Sequence, residues 1–95
     1  MILAPDRRLS ISVYPVKIKA KVGDKVTFRC ASSGQPEPSI QWSSAKRKLP
    51  KTGNGLMTFG AVDWKDSGTY ECTASNPYGA VSAKVKLMVV RRKLF

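Results

Sequence analysis

Short runs in which apolar and polar residues exchange every second position dominate this chain, and nowhere does a helical period hold for three turns. Successive strand residues face opposite sides of a sheet, so such runs read as half-buried β-strands. In Val16-Lys17-Ile18-Lys19-Ala20-Lys21-Val22 the apolar side chains point one way and the lysines the other. Val26-Thr27-Phe28-Arg29-Cys30-Ala31 repeats the pattern with Val26, Phe28 and Cys30 inward, and Ile40 and Trp42 share a face across Gln41. Pro15 cannot donate to a ladder, so it divides an edge strand, Leu9 to Tyr14, from the next one. Gly23-Asp24 and Gly34-Gln35-Pro36-Glu37-Pro38 supply turns. From Ser43 to Gly55 the chain is polar and basic, broken by Pro50 and Gly53, and predicts a loosely ordered edge with one or two short strands. Leu56-Met57-Thr58-Phe59 resumes strand character, Val62 to Gly68 forms a corner, and Tyr70, Cys72 and Ala74 then alternate inward. Asn76-Pro77-Tyr78-Gly79 predicts a tight hairpin with Gly79 in a left-handed conformation. A final strand runs from Ala80 to about Val90. About eight strands with closely spaced turn signals predict an all-β sandwich.

The chain's 95 residues hold one such module. With 42% hydrophobic and 24% charged residues it can bury a core, which removes disordered and low-complexity classes. No apolar run is long enough to cross a membrane as a helix, and Met1-Ile2-Leu3-Ala4-Pro5 lacks the basic start and apolar stretch of a secretory signal. The expectation is a module excised from a longer protein, with localisation signals elsewhere. Histidine is absent and cysteine occurs twice, so the usual general base and the commonest metal ligands are missing. No G-x-S-x-G motif is present. Neither an enzyme nor a metal or other cofactor is expected. Seventeen Lys+Arg against six Asp+Glu give a net charge of +11, which favours acidic partners.

Four residues carry the strongest motif: Cys30, Trp42 twelve positions later, Cys72, and Tyr70 two positions before it. Around them stand Gly34-x-Pro36-x-Pro38, Asp66-Ser67-Gly68-Thr69-Tyr70-Glu71-Cys72 and Ala74-x-Asn76-x-x-Gly79. In these features the chain resembles the immunoglobulin superfamily, in particular its intermediate (I) set, over about residues 9 to 90. The resemblance implies an immunoglobulin-like β-sandwich of two antiparallel sheets joined by a Cys30–Cys72 disulfide. Trp42 would pack on the bridge, and Tyr70, with Asp66 and Gly68, would tie the corner. Residues 1–8 and 91–95 would be linkers or tails. The stretch from Gly55 to Val62 looks most like perlecan-type matrix modules; adhesion-molecule and receptor ectodomains share the pattern. Gly60 departs from it, as an interior strand glycine that would mark a bulge or a close backbone approach.

The I-set resemblance also implies that the strand from Val16 to Lys21 pairs in parallel with the last strand. Lys17, Lys19 and Lys21 would then lie beside Lys84 and Lys86 as one stripe. Two readings of it compete: a polyanion-binding edge, or lysine protection against edge-to-edge aggregation. A second basic cluster, Lys46-Arg47-Lys48 followed by Lys51, is either a solvated loop or a basic finger for sulfate or phosphate. Trp64 either caps the bottom of the sandwich or anchors a protein partner, and Tyr78 is either a turn residue or a similar anchor. No N-x-[ST] sequon occurs. The leading expectation is an extracellular matrix or cell-surface binding and adhesion module. It would engage heparan-sulfate-like glycans or an acidic protein surface through the stripe, with Lys46, Arg47 and Lys48 as further candidates. The alternative is an intracellular cytoskeletal module of the titin or palladin kind that meets acidic filaments. Specific nucleic-acid binding is not expected, because the stripe lacks aromatic platforms. Membrane insertion is not expected without an amphipathic helix.

Overall fold

The structure is a computed structural model that describes residues 9–45 and 49–91. Its strands are β1 (Ser10–Tyr14), β2 (Lys17–Lys21), β3 (Val26–Ser33), β4 (Ser39–Ser44), β5 (Lys51–Gly53), β6 (Leu56–Phe59), β7 (Gly68–Asn76) and β8 (Gly79–Val90). A 3-10 turn, Trp64–Asp66, leads into β7. Two four-stranded sheets form, in the orders β1-β3-β6-β5 (sheet I) and β2-β8-β7-β4 (sheet II). Every strand pair is antiparallel except β2–β8, which is parallel. The chain changes sheets at Pro15, whose missing N–H ends one ladder before the next begins.

The alternation seen in the sequence becomes the inside and outside of the sandwich. Val26, Phe28 and Cys30 of β3 are buried, and Thr27 and Arg29 between them are exposed. Tyr70 and Cys72 of β7 face them from sheet II, with Val85, Leu87 and Val89 of β8, and Ala74 is buried on the same face of β7. Phe28, Met57, Val62, Val85 and Leu87 are almost fully enclosed. Each such side chain stabilises the fold by about 1.5–3 kcal/mol of transfer free energy. Phe59 meets Tyr70 edge to face, with ring centroids 5.5 Å apart.

Three local expectations change. Val16 and Val22 flank β2 rather than extending it, and both side chains are exposed; their main chains make the last bonds to β8, but they stand at the two ends of the strand, beyond the core that covers Ile18 and Ala20. Gly60 follows the end of β6 and has open space where a Cβ would stand, so it marks no bulge inside a strand. Gly79 has φ 158°, close to extended, because it pairs with Asn76 as the first residue of β8. Between Ser43 and Gly55 the expectation of an edge with one or two short strands holds among the described residues: beyond Ser44, where β4 ends, one short strand, β5, follows.

Candidate polyanion-binding face

The residues of the spacing motif meet in the core and set the stage for the surface. Cys30 and Cys72 are bonded, S–S 2.00 Å, across the two sheets. Trp42 lies opposite Cys72 in the β4–β7 register and is buried. Its Nε1–H donates to the Gly55 carbonyl at 3.1 Å, and the Cys30 N–H donates to the same oxygen at 2.8 Å. Gly55 sits at φ 79°, and a Cβ there would collide with the Cys30 carbonyl. The sequence reading missed this junction; its trace is the Gly53-Asn54-Gly55 turn, in which Asn54 also has positive φ.

At the corner, the Tyr70 hydroxyl donates to the Asp66 carbonyl at 2.6 Å. Burial, and then the charge of the Asp66 carboxylate, raise the Tyr70 pKa above its ordinary value. The Asp66 side chain accepts from Asp63 N–H and the Asp63 side chain from Trp64 N–H, a reciprocal cap that fixes the turn. Gly68 opens β7 at φ 151°. Ser67 Oγ accepts the Val89 N–H at 2.9 Å and so fastens the corner to β8.

The outer face of sheet II carries the lysines. Lys17, Lys19 and Lys21 alternate with the inward-facing Ile18 and Ala20 on the edge strand. Lys84 and Lys86 alternate with Ala83 and Val85 on the neighbouring strand. Lys17 stands directly across from Lys86, Lys19 across from Met88 and Lys21 across from Val90. The expected row of five is therefore two rows. Lys84 lies before the start of β2 and has Glu71 of β7 opposite it. Glu71 is the one acidic strand residue on this face, so Lys84 alone has an acidic cross-strand neighbour. Farther from the edge the face becomes small and neutral, with Gln41 opposite Thr73 and Ser39 opposite Ser75.

The remaining candidates lie elsewhere. Lys46, Arg47 and Lys48 fall outside the described residues. Lys51 is exposed on β5, in the other sheet. Trp64 is 55% exposed, with Lys65 Nζ 6.0 Å from its ring centroid, so it does not cap the sandwich as a buried residue. Tyr78 is exposed at the hairpin tip, its N–H donating to Asn76 Oδ1 at 2.9 Å. Among the described residues no group of three or more His, Cys, Asp or Glu side chains could hold a metal ion.

Comparison with known proteins agrees with this architecture. Over 82% of its length the chain is 37% identical to the mouse basement membrane-specific heparan sulfate proteoglycan core protein, of which it spans 2%. It is 38% identical over 87% of its length to dog vascular cell adhesion protein 1 and spans 12% of it. Among solved structures, a chain of the titin M10–obscurin-like 1 Ig complex superposes with a TM-score of 0.73 at 21% identity, covering 90% of this chain and 96% of that one. The two sequence relatives are multidomain adhesion and matrix proteins, and this chain corresponds to one Ig-like module of them; the solved structure shows the fold. The family model for the immunoglobulin I-set domain matches residues 9–89. With its two-sheet order, bonded cysteines, buried Trp42 and tyrosine-tied corner, the chain belongs to the immunoglobulin I-set family.

Proposed function

We propose that this domain is a non-enzymatic binding module of a larger extracellular matrix or cell-surface protein. It engages heparan-sulfate-like chains, or the acidic surface of a protein partner, through the outer face of β2 and β8. The observation that carries this reading is the direct opposition of Lys17 and Lys86, with Lys19 and Lys21 continuing the row. Like charges opposed across a ladder destabilise a sheet, and on this face Glu71 lies beside Lys84 rather than beside the row. A sulfated chain laid along the row would release condensed counterions, so its affinity falls steeply with salt. The bonded cysteines support an oxidising compartment over the cytoskeletal alternative.

The test is the salt concentration that elutes the domain from immobilised heparin, compared with a sulfonate exchanger of matched charge density. Later elution from heparin, abolished by Lys17→Ser with Lys86→Ser, is the expected result. Equal elution from both matrices would reduce the lysines to bulk charge.

A further inference from the structure

Sheet II ends at β2, and its ladder leaves half of that strand's main chain unused. The Lys86 N–H donates to the Val16 carbonyl at 2.8 Å, and the Val22 N–H donates to the Val90 carbonyl at 3.2 Å. Between these two bonds the register runs Lys17↔Lys86, Lys19↔Met88 and Lys21↔Val90. In a parallel pair with this register, alternate residues of a strand bond to the neighbour. Residues 16, 18, 20 and 22 therefore face β8, and the N–H and C=O groups of Lys17, Lys19 and Lys21 point away from it. Lys21 is closed: its N–H donates to Asp24 Oδ2 at 2.9 Å and its carbonyl accepts the Asp24 N–H at 3.0 Å. No such cap covers Lys17 or Lys19 among the described residues.

These two residues also point their side chains to the outer face. A chain lying beside β2 would meet at each of them a donor, an acceptor and a positive charge, repeating every two residues, about 6.6–6.8 Å. An extended peptide repeats its own side-chain faces at the same interval. We propose that β2 is a docking edge for an extended acidic segment of a protein partner, with a carboxylate at every second position, which joins sheet II as an added strand. Charge complementarity selects this occupant. Lys17, Lys19, Lys21 and Lys86 attract alternating carboxylates, whereas a second copy of the same strand would set lysine against lysine. Tyr14 and Val16, 76% and 61% exposed, stand at the open end and offer apolar contact there. Asp24 marks the other end. The proposal rests on the lysine face of the reading above and adds the main chain to it, so the two can fail separately.

The probe is an acetylated, amidated peptide of alternating Glu and Val. It is set beside the same peptide N-methylated at the bonds that would face β2, and beside a heparin oligosaccharide. Amide exchange followed by NMR reports the main chain. The unmodified peptide is expected to slow exchange at Lys17 and Lys19; the N-methylated peptide and the oligosaccharide are expected to leave both amides fast. Lys19→Pro removes an outward N–H at an edge position, where proline is tolerated, and Lys19→Ala removes only the charge. The proline variant is expected to bind the peptide about tenfold more weakly than the alanine variant, with equal elution of both from heparin. Equal binding of the two peptides, or binding without amide protection, overturns strand docking even if heparin elution stays late. Protection by the peptide together with equal elution from heparin and sulfonate removes the glycan reading and keeps this one. If Lys19→Pro does not fold, the N-methyl comparison decides alone.

Discussion

At the scale of single residues, one backbone oxygen has unusual reach. The Gly55 carbonyl accepts from β3 and from the Trp42 indole while its own residue holds a positive φ that a side chain would strain. Gly55→Ala is expected to lower the unfolding free energy by about 2 kcal/mol or more. The check is a lower urea midpoint with an unchanged m-value. Tyr70 offers a second test. Tyr70→Phe loses the hydrogen bond to the Asp66 carbonyl and is expected to cost about 1 kcal/mol near neutral pH. The raised pKa of Tyr70 fixes a sign. Above about pH 10 the unfolded tyrosine ionises while the folded one keeps its proton. Its stabilisation is complete below that pH and is lost as pH rises toward the folded value. Stability measured across the alkaline range should fall more steeply for the wild-type chain than for Tyr70→Phe, and parallel curves would contradict this.

At the scale of elements, the β2–β8 pair couples charge to stability. Lys86→Glu turns an opposed like-charge pair into an opposite one, so it is expected to stabilise the fold by some tenths of a kcal/mol. The same change should move heparin elution to lower salt. A gain in stability without a shift in elution would separate Lys86 from glycan binding. Most of the strands were legible because each buries one face, and burial of one face writes a period of two into the residues. The parallel pairing of β2 with β8 was legible through family resemblance rather than through periodicity. Two points escaped. Placing Glu71 beside Lys84 depends on the register between β7 and β8, which alternation in either strand alone does not set. The exposure of Val16 depends on how far the core reaches beneath the end of β2, and an apolar residue at a strand's end carries the same letter as one over the core.

At the scale of the whole molecule, the disulfide closes a sequence separation of 42 residues. Replacing both cysteines, Cys30→Ala with Cys72→Ala, is expected to cost about 4 kcal/mol in the chain-entropy account, measured as the shift in denaturant midpoint. A loss well below 1 kcal/mol would mean that the unfolded chain is already constrained by other contacts. The sandwich, however, is fastened twice at nearly the same level. Beside the sulfur bridge, the Trp42 indole of sheet II reaches the Gly55 carbonyl in the turn between β5 and β6, and thiol–disulfide exchange does not break that hydrogen bond. Oxidation state therefore sets how deep the folded well is, while the indole and the packed rings around it keep the distance between the sheets. A molecule whose thiols are reduced should still present the same lysine rows and the same open strand edge, for as long as it stays folded.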